Sequence, residues 1–352
     1  MHADVRRWFA HRGSHLSDWS LPAVLDSKGD VRVSVVLPAL NEQATVGPIV
    51  SAIRRELLER GLVDDLVVMD SGCTDATARV AASAGARVVR REEVLPEFDP
   101  LPGKGEVLWR SLAATTGDVL VFVDADLREF TPSFVVGLLG PLLADPSVHL
   151  VKAAYDRPLA TGRTPGRFAG RFLRRRYPRP AAAPAGGGRV TELVARPLLN
   201  LHWPELAGFA QPLAGEYAAR RGLLERLPFP TGYGVELGLL VDALGLVGLD
   251  GLAQVDLERR RHRHQTEARL GVMASEIMQT ALCRLEREGR LRLAGPVDTE
   301  LTQFERNGAR YRMHTTQVSP VERPPLAEVP SYASRPGPQA LSGRAATGPG
   351  PA

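Results

Sequence analysis

From position 31 onward, short apolar runs alternate with stretches in which apolar residues recur every three or four positions. Residues 31–37 form a β-branched run that stops at Pro38, which predicts a strand. Val46, Ile49, Val50, Ile53 and Leu57 then keep helical spacing as far as Gly61. Residues 66–69 predict a second buried strand ending at Asp70, and residues 74–84 a helix with Gly85 in C-cap position. Residues 87–89 predict a third strand, 104–114 a helix and 119–123 a fourth strand. Thr131 and Pro132 open the next helix as N-cap and first helical residue, and residues 149–153 predict a further strand. Strand and helix alternate with short connections. That pattern implies an α/β fold: a mainly parallel, twisted sheet flanked by helices on both faces.

The flanks of this region read differently. Residues 1–30 are polar with scattered Trp8, Phe9 and Trp19, and predict an N-terminal extension packed on the main domain. Residues 157–188 are rich in Arg, Pro, Ala and Gly and interrupt the alternation as a loop. Regular structure resumes over 189–318. It is mostly helical to about 253, then a polar, basic segment over 255–270 and an amphipathic helix over 274–288. Residues 319–352 are rich in Pro, Gly and Ala and predict a largely disordered tail.

Composition narrows the classes. The chain has 352 residues, 44% of them hydrophobic and 24% charged, which suits a globular protein with a sizeable core. The longest apolar stretches are too short to span a bilayer or, as in 237–249, are broken by Asp242. The N-terminus has no apolar signal-peptide core, and two cysteines in no framework suit a reducing, cytoplasmic setting. The net charge is only +4, so the basic character is local, at 157–179 and Arg259-Arg260-Arg261. Such surfaces suit anionic partners: nucleic acid, sugar nucleotides or phosphorylated acids. Aromatics are 6% of residues and do not interleave with the basic runs, which argues against nucleic acid.

The chemistry-bearing polar residues cluster at strand ends, where ligands bind in such sheets. Asp124-Ala125-Asp126 follows the fourth strand. Two carboxylates two residues apart point to one face and repel unless a cation lies between them, and a hard cation such as Mg²⁺ would bridge them to phosphates. The alternative is a solvated turn. Asp70-Ser71-Gly72-Cys73-Thr74-Asp75 could hydrogen-bond a base or ribose, or cap the next helix. Glu42, after Pro38-Ala39-Leu40-Asn41, could accept from a nucleotide or belong to a turn. Lys104, between two glycines at a helix start, suits a phosphate, or is a surface lysine. Gly188-Arg189-Val190-Thr191 combines amides, a guanidinium and a hydroxyl suited to an anion, or is the end of a linker. Glu236, behind Gly232-Tyr233-Gly234, either favours the helix dipole or faces sugar or acceptor. His262, in the basic run Arg260-Arg261-His262-Arg263-His264, could complete a metal site begun by the aspartates.

Together, Val35-Val36-Leu37-Pro38-Ala39-Leu40-Asn41-Glu42, the Asp-Ser-Gly-x-Thr-Asp turn, Pro102-Gly103-Lys104-Gly105-Glu106 and Asp124-x-Asp126 resemble glycosyltransferases of the GT-A fold. The segments 187–199, 211–219 and 232–236 resemble, more narrowly, the actinobacterial glucosyl-3-phosphoglycerate synthase family. That resemblance implies a nucleotide-sugar-binding half over 31–156 and an acceptor-binding, metal-completing half over 189–318. It implies retaining transfer of glucose from UDP- or GDP-glucose to the 2-hydroxyl of 3-phosphoglycerate by a cytoplasmic homodimer using Mg²⁺ or Mn²⁺. Pro38, Leu40, Glu42, Ser71 and Lys104 would hold the nucleotide, with Asp124 at the ribose–diphosphate. Asp126 and His262 would bind the metal, and Gly188, Arg189 and Thr191 the acceptor. Tyr233 and Glu236 would meet the substrate, with Arg260 and His264 flanking diphosphate or acceptor. Glu236, Asp124 and Arg260 are the residues expected at the reacting centre. The chain departs from the family at Cys73, where Ser is expected, at His264, where Asn is expected, and in a longer Arg-rich stretch. Three other readings remain open: a related transferase using a mannosyl donor or glycerate, a non-catalytic sugar-nucleotide-binding protein, and nucleic-acid binding through residues 157–179.

Overall fold

The apolar runs become strands of one sheet. The computed structural model of the chain describes residues 2–156, 188–259, 266–318 and 321–334. In order, the first part carries α1 (Ala3–Arg12), β1 (Gly13–His15), α2 (Leu21–Lys28), β2 (Val33–Ala39), α3 (Val46–Ile53) and β3 (Asp65–Asp70). It continues with α4 (Thr77–Ala84), β4 (Arg87–Arg90), α5 (Lys104–Ala114), β5 (Val119–Phe122), α6 (Ser133–Ala144) and β6 (Leu150–Asp156). The second part carries α7 (Arg196–His202), β7 (Tyr217–Arg220), α8 (Arg221–Leu224), β8 (Phe229–Pro230), α9 (Val235–Val247) and β9 (Leu252–Arg259). It ends with α10 (Glu267–Arg287), β10 (Glu300–Asn307), β11 (Arg310–Gln317), β12 (Glu322–Arg323) and α11 (Pro330–Ala333).

Eight strands order as β1-β9-β6-β7-β5-β2-β3-β4. All neighbours run parallel except β7, which is antiparallel to β5 and β6. Side chains of successive strand residues pass to opposite faces. Val36, Met69 and Phe122 therefore join one core, under α5, α9 and α10, while Val35, Leu37, Val68 and Val121 join the other, under α3 and α6. Burial on both faces explains why these strands are apolar throughout. Parallel pairing aligns the ends of β2, β3 and β5 on one edge, and reversed β7 brings its first residue to that edge, with Tyr217 opposite Phe122 and Lys152.

Several expectations change. The helix expected from 74 begins at Thr77, because Asp75 turns back to accept from the Thr77 amide at 2.9 Å. The helix expected at Thr131 begins at Ser133, with Pro132 in N-cap position and Thr131 spent on the Ser133 hydroxyl at 2.5 Å. The stretch 190–253 is less helical than expected, because β7 and the start of β9 insert into the sheet, and β9 also takes up the beginning of the segment 255–270. The helix expected over 274–288 starts two turns earlier, capped by Thr266. Residues 1–30 contribute β1 to the sheet edge, and the Trp8 indole donates to the Leu252 carbonyl at 2.7 Å.

The largest correction concerns the C-terminal segment. Residues 321–334 were expected in a disordered tail, yet Leu326 and Val329 are core residues and Arg323 is buried. Arg323 donates to both oxygens of Glu106, at 2.6 and 2.9 Å, and Glu106 also receives Arg110 at 2.6 Å. Composition misled there because one buried ion network outweighs a Pro-rich stretch. The loop expected over 157–188 lies outside the described residues except for Gly188. Among the described residues no helix is long and apolar enough to cross a membrane.

Candidate active site

Two loops at the sheet edge are stitched by side chains. Asn41, at φ 59°, accepts through Oδ1 from the amides of Thr74 at 2.8 Å and Asp75 at 3.3 Å. The Glu42 amide donates to the Thr77 hydroxyl at 2.8 Å. Asp70 accepts from the Gly72 and Cys73 amides at 2.9 and 2.7 Å, so its carboxylate shapes the turn that presents Ser71. The Cys73 thiol donates to the Ala39 carbonyl at 3.4 Å and accepts from the Asn41 amide at 3.3 Å. Sulfur thus does at longer range what a hydroxyl would do, and burial pushes its pKa up to about 11.

Lys104 opens α5 on a loop where Gly103, at φ 115°, has no room for a side chain against the Thr231 carbonyl. Its ammonium lies 2.6 Å from Asp124 Oδ1 and 3.0 Å from Glu236 Oε1. Burial pulls the ammonium pKa down, but the two carboxylates outweigh it and hold the group well above its usual value. Gly215 backs this pair so closely that a Cβ would collide with the Asp124 carboxylate and the Lys104 ammonium. Beneath them Lys152 is 2% exposed, donates to the Ala214 carbonyl at 2.6 Å and sits 5.0 Å over the Tyr217 ring. Burial lowers its pKa to about 8, partly opposed by Glu236.

Of these groups, Glu42, Ser71, Lys104, Asp124, Gly215 and Glu236 line one cavity of about 880 Å³. Pro38, Leu40, Glu42 and Ser71 border it beside Lys104, as do Asp124 and Asp126. Gly188, Arg189 and Thr191 border it from the second part of the chain, with Tyr233 and Glu236. Arg260, His262 and His264 lie outside the described residues. Arg189 pairs at 3.3 Å with Glu267, which is 91% exposed. The Tyr233 amide donates to Glu276 at 2.5 Å.

Sequence reasoning missed the wall that α10 provides through Arg269, Leu270, Met273, Glu276 and Ile277. Their helical spacing was legible, but the same spacing describes any core-facing helix. It missed Lys152 too, although a lysine inside an apolar strand is itself a signal. Arg91, Leu213 and Gly215 carried no local sign.

A mainly parallel sheet whose strand ends gather paired aspartates, a half-buried lysine shared by two carboxylates and a Gly-Arg-Val-Thr segment in one cavity defines a GT-A glycosyltransferase. The model of Glycosyl transferase family 2 matches residues 34–183. Glucosyl-3-phosphoglycerate synthase of Mycolicibacterium paratuberculosis is 47% identical over 327 residues, which cover 92% of each chain. A crystal structure of glucosyl-3-phosphoglycerate synthase from Mycobacterium tuberculosis, in complex with Mn²⁺, uridine diphosphate and phosphoglyceric acid, is 46% identical. It superposes with a TM-score of 0.73 over 88% of this chain and 94% of that one. Mannosyl-3-phosphoglycerate synthase from Rubrobacter xylanophilus is 38% identical with a TM-score of 0.81, over 93% of this chain and 98% of that one. The chain belongs to the glucosyl-3-phosphoglycerate synthase family.

Proposed function

We propose that this chain transfers glucose from UDP-glucose to the 2-hydroxyl of 3-phosphoglycerate, with retention at the anomeric carbon. One observation carries the reading: a single cavity joins the Lys104–Asp124–Glu236 cluster to the Gly188–Thr191 segment, a site for a diphosphate beside a site for a small anion. The relatives' names and the UDP and phosphoglyceric acid of the M. tuberculosis complex support it.

In this reading Pro38, Leu40, Glu42 and Ser71 hold the nucleoside, and Lys104 and Asp124 the ribose–diphosphate. Lys104 already carries its proton, so its ammonium meets the charge that grows on the leaving diphosphate. Glu236 orients Lys104 and accepts from a sugar hydroxyl. The bond from the anomeric carbon to the diphosphate breaks, and a bond to the acceptor 2-oxygen forms on the same face. The acceptor proton passes to a diphosphate oxygen. No second carboxylate is invoked as a nucleophile. Arg260 and His264 flank this centre.

Asp126 offers one hard oxygen donor, and among the described residues no group of three His, Cys, Asp or Glu assembles a metal site. One carboxylate completed by His262 and by substrate phosphates is a donor set that fits Mg²⁺ or Mn²⁺, which would act as Lewis acid on the diphosphate. Solved complexes of the M. tuberculosis enzyme with uridine diphosphate contain Mn²⁺ or Mg²⁺.

A mannosyl donor is the second reading, favoured by the superposition on the Rubrobacter enzyme. A matrix of UDP-glucose, GDP-glucose and GDP-mannose against 3-phosphoglycerate and glycerate, with the product anomer read by NMR, decides. Transfer to glycerate but not to 3-phosphoglycerate would overturn the acceptor; loss of metal-dependent turnover in Asp126→Ala is expected. We also propose a cytoplasmic homodimer. The β10–β11 hairpin exposes Phe304, Tyr311 and Met313, an apolar surface that a second copy would cover. Light scattering that returns a monomer would refute the dimer.

A further inference from the structure

We propose that Lys152 is a positioning residue for the transfer: from beneath the cavity it holds the Ala214–Gly215 segment against the Lys104–Asp124 pair, and so fixes that pair for the diphosphate. The proposal rests on the donor site assigned above and adds to it a residue that does not line the cavity.

Burial gives the first argument. Lys152 lies on interior strand β6, opposite Tyr217 of β7, and is buried. Leu150, two positions earlier and on the same face of the strand, is an ordinary core residue. An ammonium at that depth is costly, and burial alone favours its neutral form. A methionine or leucine would fill the same core without that cost. What the ammonium adds is one directed bond, to the Ala214 carbonyl at 2.6 Å.

The segment held by that bond gives the second. Gly215 follows Ala214 and packs so tightly behind the ion pair that a Cβ would overlap Asp124 and Lys104. The backbone there abuts both partners, so a shift of Gly215 shifts them. Two backbone bonds also fix the segment, from the Ala214 amide to the Gln211 carbonyl at 3.0 Å and from the Ala153 amide to the Glu216 carbonyl at 3.1 Å. Lys152 adds a side-chain bond whose other end is anchored in the sheet.

Charge gives the third. The groups that act on the Lys152 ammonium are Glu236 of α9, Lys104 of α5, Glu216 before β7 and Asp124 after β5, and the Tyr217 ring lies 5.0 Å beneath it. Two ammoniums thus stand among three carboxylates. Without Lys152, Lys104 would face all three, and they would oppose an incoming diphosphate more strongly.

The test compares the full chain with Lys152→Met, Gly215→Ala and the double variant. Calorimetry reads UDP binding with Mn²⁺. Steady-state kinetics reads transfer to 3-phosphoglycerate, or to the acceptor that the donor–acceptor matrix returns. Lys152→Met should raise Kd for UDP roughly ten-fold and lower kcat roughly 10²-fold. KM for the acceptor should stay within about two-fold, since the contacts of that end are unchanged. Gly215→Ala should act in the same direction, and the two losses should not multiply in the double variant, because both unseat the same pair. A merely structural lysine would lower the urea midpoint without singling out the donor. If Lys152→Met does not fold, Lys152→Gln, which keeps an N–H donor, takes its place in the same cycle. The inference is overturned if the folded variant binds UDP and turns over within about two-fold of the unmodified chain, or if the two losses multiply. An unmodified chain that binds UDP but does not use 3-phosphoglycerate would remove the acceptor reading and leave this inference to the UDP measurement. One that does not bind UDP would remove the donor reading, and this inference with it.

Discussion

The two ends of the cavity are built by opposite means. At the end proposed for the donor, groups are held by short hydrogen bonds and ion pairs: half-buried Asp70 to its own turn, exposed Asn41 across to Thr74, and Lys104 between Asp124 and Glu236. At the end proposed for the acceptor the walls come from segments far apart, at 188–191, 231–236, 269–277 and 317–321. There the described ion pair of Arg189 is exposed on both partners. Groups that must be ready when charge develops are held in place before substrate arrives. Groups that must admit and release a small anion are held by contacts that water and salt already weaken.

Four measurements would break or sharpen that contrast. The largest effect is expected at Glu106, which fastens donor-side α5 to the C-terminal segment. Glu106→Ala leaves Arg110 and Arg323 buried without their carboxylate and should cost about 3–5 kcal/mol in urea unfolding. A loss below about 1 kcal/mol would mean the network is not what orders residues 321–334. Next, Lys104→Met leaves Asp124 and Glu236 facing the diphosphate unopposed. A fall in kcat/KM of roughly 10²–10³-fold is expected, about 2.7–4 kcal/mol of transition-state stabilisation.

The third concerns pH and separates buried Lys152 from half-buried Lys104. Lys152 has its pKa lowered by burial to about 8, from 10.5. Between those values the unfolded chain binds a proton that the folded chain does not, so stability rises with pH across that window, by on the order of 1–3 kcal/mol. Lys104 works the other way: its raised pKa gives stability present at lower pH and lost only as pH climbs through its elevated folded value. Urea midpoints from pH 7.5 to 10 should rise in the unmodified chain and lose that component in Lys152→Met. The smallest effect is expected at the acceptor end, where Glu267→Gln should change unfolding free energy by no more than about 0.5 kcal/mol. A larger loss would show that Arg189 and Glu267 are structural and the contrast between the ends false.

How much was legible follows the same division. Asp124, Lys104 and Glu42 could be placed at the cavity because parallel strands put their carboxyl ends on one edge: Asp124 directly follows an apolar run, Lys104 a glycine, and Glu42 the turn after the first strand. The α10 wall could not be foreseen, because periodicity says that a helix has a buried face but not what that helix meets. Arg323 lay in a Pro-rich stretch, and only its approach to Glu106, 217 residues away, gives it a fixed place. Lys152 read as one polar position in a strand until reversed β7 set Tyr217 beneath it.

By itself, then, the sequence determined the alternation of strand and helix, the edge where polar residues collect, and the motifs that mark a sugar-nucleotide site. These are local properties, set by side-chain period and turn chemistry within a few residues. The tertiary structure alone decided that Lys104 is shared by two carboxylates from different elements, that α10 walls the cavity beside Arg189, and that Leu326 and Val329 of residues 321–334 join the core. Each of those depends on contacts between residues tens to hundreds of positions apart, whose energies arise only when packing removes water from both partners.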